Sequence, residues 1–218
     1  MYTNVNLSAP VGALALLGTG FVLFITAIGL VYFLVKRKRT GVRFALVAMA
    51  VMAAGYVALM LGFSVASHEQ ILARGQEKHF CELDCHLAYS IVNARQAKTV
   101  GEAPNQTVAR DQLTVITIKT RFDETTIAPS RGNGSLYPNS RVLTLTDDRG
   151  SRYAPSAQIG TPLTTPLRPG ESYTTEVAFD LPAGAKPMSL LIQEGEWITR
   201  FVIGHENSPL HKQAKFQV

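Results

Sequence analysis

The residues of this chain best suited to chemistry gather in one short stretch, His79-Phe80-Cys81-Glu82-Leu83-Asp84-Cys85-His86, which holds its only two cysteines. Thiols and imidazoles this close together offer four outcomes. In an oxidising compartment the two thiols are each other's only possible partners within the chain, and they form a disulfide. If the stretch is helical, an i to i+4 pair has Cα atoms about 6 Å apart, within reach of a bridge, and so short a loop contributes about 2 kcal/mol. As thiolates flanked by His79 and His86, the same sulfurs suit copper, which favours sulfur and imidazole together. Cys85-His86 also imitates the end of a c-type haem attachment motif, although three residues stand between these cysteines where that motif has two. The fourth outcome is a pair of free thiols, or of cysteines sheltered by a partner. The first expectation is a Cys81–Cys85 disulfide with no cofactor; the alternative is copper or haem on His79, Cys81, Cys85 and His86.

Other reactive side chains are scattered. His205 and His211 would approach the cysteine stretch if the last strand returned beside the first; otherwise they are loop or hydrogen-bonding residues. Asp123-Glu124 and Asp147-Asp148 resemble carboxylate pairs, yet each sits in a turn-forming run where Asp bonds its own backbone. Trp197 and Phe201 read as core or interface aromatics. There is no nucleophile elbow, phosphate loop or zinc-protease helix. A non-enzymatic protein is expected.

The elements that position these residues begin with two uncharged apolar segments, 11–35 and 44–66. About 20 apolar residues at 1.5 Å rise cross a hydrocarbon core of about 30 Å, so each is long enough to span a bilayer. Residues 1–10 carry no lysine or arginine, unlike the basic start of a signal peptide, so the first segment is expected to stay. The net charge of +5 resides entirely in Lys36, Arg37, Lys38, Arg39 and Arg43, because residues 67–218 hold sixteen basic and sixteen acidic side chains. A basic cluster between two spans sets topology rather than binding nucleic acid. It places the 36–43 turn in the cytoplasm and both termini on the far side of a bacterial inner membrane. The second span is rich in small residues, among them Ala50, Ala54, Gly55, Ala58 and Gly62, which let helix backbones approach closely. They are expected to pack the two spans together, and a face of the pair is also available to another membrane subunit.

Residues 67–86 read as a polar juxtamembrane connector ending in the cysteine stretch. Beyond it, runs rich in Val, Ile, Thr and aromatics occur at 87–92, 113–122, 141–146, 172–179, 188–192, 198–203 and 212–218. Alternation is plain in Tyr173, Thr175, Val177 and Phe179. Turns such as Asp147-Asp148-Arg149-Gly150 and Pro182-Ala183-Gly184 separate the runs. About seven short strands with frequent turns predict an antiparallel β-sandwich over 87–218, carried by a two-helix transmembrane hairpin over 1–66.

Several of these motifs also carry a resemblance. The order Tyr89 to Arg95, the long strand 113–122, the hairpin with Leu145, Asp147, Gly150 and Tyr153, the step Arg168-Pro169-Gly170-Glu171, and Phe179-Asp180-Leu181-Pro182 resembles a family of immunoglobulin-like domains. These are found in bacterial exported and membrane-anchored proteins of unknown function. The resemblance covers about 130 residues and implies an immunoglobulin-like sandwich used for binding or scaffolding. Two spans followed by an exported β domain with Cys-x-x-x-Cys also resemble the copper subunit of haem-copper oxidases. There the cysteine pair lies late in the sandwich and is followed by a histidine and a methionine, where this chain has Tyr89 and Val92.

The expected role is a membrane-anchored accessory or scaffold subunit whose sandwich clamps a larger membrane complex, such as a respiratory or photosynthetic electron-transfer assembly. Its partners would be the lipid bilayer and the other subunits of that complex. The rival is a periplasmic electron carrier or metallochaperone built on the cysteine stretch.

Overall fold

A computed structural model describes residues 2–81, 85–126 and 131–218. The chain divides into two units. One comprises residues 1–4, 68–197 and 213–218, the other residues 5–67 and 198–212, so the chain passes between them four times.

The first unit is a β-sandwich. Its larger sheet contains β1 (Tyr2–Thr3), β3 (Lys78–Phe80), β4 (Leu87–Val100), β5 (Thr107–Phe122), β9 (Ser172–Leu181) and β8 (Ala157–Gly160), in the order β1-β3-β4-β5-β9-β8. The smaller holds β2 (Gln70–Leu72), β11 (Ala214–Gln217), β10 (Pro187–Glu194), β6 (Arg141–Asp147) and β7 (Arg152–Tyr153), in the order β2-β11-β10-β6-β7. Alternation sends Ile116, Ile118, Val177 and Phe179 of the larger sheet inward to meet Leu143, Leu145, Leu190, Ile192 and Phe216 of the smaller, with Leu72 and Tyr89 also in the cluster. The Asp147 turn between β6 and β7 is held as its residue types suggest. Asp147 Oδ1 accepts from the backbone N–H groups of Arg149 and Ser151, and Oδ2 accepts from the Tyr153 hydroxyl. Burial pushes this carboxyl up, but those bonds outweigh it and hold its pKa below the ordinary value.

Three expectations change. Residues 67–86 are more than a connector, because they supply β2 and β3 to opposite sheets. Three-residue strands are too short to display alternation, and β3 carries Lys78 and His79 where an apolar pattern would mark it. The sandwich also takes its first strand from the N-terminus: Tyr2 pairs in parallel with Lys78, and Thr3 with His79. The 198–203 run forms a 3₁₀ turn over Trp197–Phe201 followed by loop, and it belongs with the helices rather than the sandwich. An apolar run of that length fits strand or turn equally well by composition.

In the second unit, α1 (Ala9–Val35) and α2 (Arg39–Val65) are each 27 residues long, with Pro10 in the first turn of α1. Both are long and apolar enough to cross a membrane. The linking turn is only residues 36–38, with Arg37 in the left-handed region, so Arg39 and Arg43 stand on α2 instead of in the turn. The loop 198–212 packs on this pair. A Cβ on Gly12 of α1 would lie 2.7 Å from the Ile203 carbonyl oxygen, and Gly204, at φ +79°, faces the Leu7 side chain at a distance only a glycine tolerates.

Asn4 ties the N-terminal strand to the rest of the sandwich. Its amide donates to Glu194 Oε1 at 2.9 Å, and its carbonyl accepts from the Cys81 backbone N–H at 2.8 Å. Asn4 is 1% exposed. Asn4→Ala deprives a buried N–H and a buried carboxylate of this partner, and is expected to lower unfolding stability by about 1 to 3 kcal/mol. Thermal denaturation of the detergent-solubilised protein measures it; an unchanged midpoint would show that water replaces the side chain at no cost.

Candidate functional site

Cys81 and Cys85 are joined, with an S–S distance of 2.03 Å. Glu82, Leu83 and Asp84 lie outside the described residues. With both sulfurs bonded to each other, neither is a thiolate, the form in which cysteine binds copper. The histidines of the stretch are also separately engaged. His86 is buried and stacks on Phe122, with ring centroids 5.1 Å apart and planes inclined by 14°. The His79 ring places Nδ1 3.1 Å from the Cys85 carbonyl oxygen, and Nδ1 must therefore carry the proton to donate there. Among the described residues no three His, Cys, Asp or Glu side chains come together as a metal-holding group.

His79 instead belongs to an ionic cluster that the sequence did not reveal. Across three strands His79 pairs with Ala88, and Ala88 with Arg121. The small Ala88 side chain leaves room for its two neighbours to meet above it, because directly opposed residues share a face. Arg121 grips Glu77 with two bonds, Nε to Oε1 at 2.8 Å and a terminal nitrogen to Oε2 at 2.7 Å, and that nitrogen lies 3.3 Å from Asp123 Oδ2. His79 Nε2 lies 3.7 Å from Glu77 and 3.8 Å from Asp123. Glu77, His79 and Asp123 of the cluster line a cleft of about 490 Å³ together with Tyr2, Gln76 and Thr125. A guanidinium occupies the place a cation would take, so the geometry is that of a neutralised structural network open to solvent on one side. Charges at i and i+2 in both Glu77/His79 and Arg121/Asp123 were the available signal.

The bond to Arg121 holds the Glu77 carboxyl below the ordinary carboxylate range, against the effect of burial. Burial pushes Asp123 up, but bonds from Thr125 and Arg121 outweigh it and the net shift is downward. Arg121 is raised in turn, first by its bond to Glu77.

His205 and His211 belong to the helix unit. His205 is buried and its Nδ1 accepts from the Asn207 N–H. His211 donates from Nδ1 to the Lys212 carbonyl, and burial pushes its pKa down. Asp123 Oδ1 accepts from the Thr125 N–H and hydroxyl, the local turn bonding expected of such a pair.

The small residues of α2 face outward. Ala50, Ala54, Gly55, Ala58 and Gly62 are all exposed, whereas Ala45, Met60 and Ser64 are buried. Ala50, Ala54, Ala58 and Gly62 recur every fourth residue and so share one stripe of the helix. Added Cβ atoms on Gly55 and Gly62, or on Gly18, Gly20 and Gly29 of α1, would meet nothing within 4 Å. Ala50, Ala54, Ala58 and Gly62 are thus exposed on the hairpin, where they were expected to join the two spans. Beside the stripe, Ala15, Gly18, Thr19, Met52, Gly55 and Ile203 are among the residues lining an apolar groove of about 370 Å³ between the helices.

The chain matches no protein-family model and no curated protein. Among solved structures it is similar to MPT63, a secreted protein of Mycobacterium tuberculosis, at 13% identity over 69% of this chain and 98% of that one, with a TM-score of 0.43. It is also similar to an uncharacterized β-sandwich protein of Clostridium difficile 630, at 8% identity over 70% and 95% of the two chains, with a TM-score of 0.41. Nothing in these likenesses supports the resemblance to an oxidase copper subunit. The fold is a β-sandwich joined in sequence to two long apolar helices.

The lowered carboxyls of Glu77 and Asp123 contribute stability that is present above their unfolded pKa values, about 4.3 and 3.9, and lost as pH falls through the folded values. Arg121→Gln removes the largest cause of the Glu77 shift. It is expected to cost about 1 kcal/mol at pH 7, after allowing for partial solvent exposure, and progressively less below about pH 4. Denaturation midpoints of both proteins across that range test this; a difference independent of pH would refute it.

Proposed function

We propose that this chain is a non-catalytic accessory or scaffold subunit of a larger membrane complex. In this reading α1 and α2 span a bacterial inner membrane, with Lys36, Arg37, Lys38, Arg39 and Arg43 at the cytoplasmic surface. The immunoglobulin-like sandwich stands on the periplasmic side and clamps the exported face of the complex, of which a respiratory or photosynthetic electron-transfer assembly is one candidate. The carrying observation is the outward stripe of Ala50, Ala54, Ala58 and Gly62. Between helices in lipid, close backbone approach across small residues supplies the attraction that hydrophobicity cannot. A stripe exposed on its own hairpin is suited to a helix of another subunit. The metal-carrier alternative has less support, since the two sulfurs it requires as thiolates are bonded to each other.

Topology is tested by adding protease to intact spheroplasts. The expected outcome is removal of the domain after Ala66 with the 36–43 segment protected; cleavage of that segment from outside would invert the orientation.

Assembly is tested by extraction in mild detergent, where the chain is expected to migrate with other membrane subunits. Ala54→Leu or Ala58→Leu adds bulk to the stripe, at a typical overpacking cost of about 1 to 3 kcal/mol. Such variants should insert normally and be recovered apart from the complex. A wild-type chain that already runs as a free monomer would remove the basis of the proposal.

A further inference from the structure

The loop 198–212 returns from the sandwich to the helix pair and exposes apolar side chains there: Ile198 is 45% exposed, Phe201 47% and Leu210 71%. Its depth along the helices can be bounded. The Tyr56 hydroxyl donates to the Phe201 carbonyl oxygen at 2.6 Å. Tyr56 stands nine residues before Val65, the last residue of α2, which is about 13 Å along the axis at 1.5 Å per residue. A 27-residue helix is about 40 Å long, so about 10 Å at most can project beyond a hydrocarbon layer of about 30 Å. Tyr56 is therefore rooted inside that layer even if the whole excess lies at its own end of α2, and tilt only shortens the excess. The Phe201 carbonyl therefore lies within the reach of one tyrosine side chain from that level.

Irregular backbone at such a depth needs its polar groups satisfied from within the protein. This segment provides for that. The Phe201 carbonyl accepts from Tyr56, and the Val202 carbonyl accepts from the Ser208 hydroxyl and the His205 N–H. Asn207 donates to Thr199 Oγ1 at 2.8 Å, and the Val202 N–H donates to the Thr199 carbonyl. Arg200, between the two exposed apolar residues, is itself exposed and long enough to reach a phosphate while its stem stays in the apolar zone.

We infer that the turn from Ile198 to Phe201 is a lipid-contacting wedge that enters the outer leaflet beside the helix pair, with Ile198 and Phe201 among the acyl chains and Arg200 at the phospholipid headgroups. The occupant of this apolar surface is lipid because the surface continues that of two helices suited to a bilayer. The inference rests on the reading that α1 and α2 span the membrane.

Trp197, the first residue of the same 3₁₀ turn and the only tryptophan in the chain, reports on it directly. The full chain is reconstituted in phosphatidylcholine vesicles whose acyl chains are brominated either near the headgroup or near the methyl end, and resistance to carbonate extraction is measured in parallel. The expected result is loss of Trp197 fluorescence, larger with bromine near the headgroup. Ile198→Glu with Phe201→Glu should reduce the quenching and shift emission to the red while extraction resistance is retained. Absence of quenching in a carbonate-resistant protein would overturn the wedge while leaving the spanning helices in place, and would assign this surface to a protein partner. Stronger quenching near the methyl end, or quenching untouched by the double substitution, would overturn it as well. Release by carbonate would instead defeat the spanning reading on which it rests.

Discussion

A lysine buried between the two sheets constrains the sandwich more than any apolar contact. Lys78 on β3 is 0% exposed, and its Nζ donates across the core to the carbonyl oxygens of Ile192 on β10, at 2.9 Å, and Ala214 on β11, at 3.4 Å. The ammonium also lies 4.8 Å from the centre of the Phe80 ring. Arg141 of β6 sits 4.4 Å from the Phe80 ring centre and 5.2 Å from that of Tyr89, with Nε 3.2 Å from the Tyr89 hydroxyl. The two sheets are thus joined along this seam by directional bonds, with Asn4 and Glu194 adding a third tie. Such bonds add little net stability compared with well-packed apolar residues, but removing one partner of a buried pair is costly. A slip of β3 by one residue would swap Lys78 for His79 at the core face, stranding the cation and breaking the seam at once.

The same register explains the outer face. Whatever fixes Lys78 and Phe80 inward must turn Glu77 and His79 outward, and the β4–β5 pairing then carries Arg121 to the matching position over Ala88. The buried seam and the solvent-side ionic cluster are therefore two consequences of one strand alignment, and the Cys81–Cys85 bridge closes the chain where β3 ends and β4 is about to begin. The cluster needs no catalytic purpose to account for its charges, since each carboxylate has a cationic neighbour.

Much of the architecture was legible. Uncharged runs of this length announced the two long apolar helices, and alternation in β5 and β9 marked two adjacent interior strands of the larger sheet. What stayed hidden lay where elements are short or polar. β1, β2 and β3 are two or three residues long, and their polar residues are explained only by partners far away in sequence. His86 carried the look of a ligand, yet its ring fills space against Phe122. Similarly, Ala50, Ala54 and Ala58 announced close packing without indicating with what, because composition gives the character of a helix face and not its direction. The 198–203 run was misread because its apolar side chains answer to a different surface from the sandwich core.

The four passages of the chain between the two units bear on how the protein is made. β1 is synthesised first, yet its partner β3 follows only after both long helices have emerged, and β2 waits for β11, pairing Gln70 with Ala214 near the end of the chain. The sandwich cannot close in stages as the ribosome proceeds. β11 alone joins β2 to β10, so a single four-residue strand completes the smaller sheet.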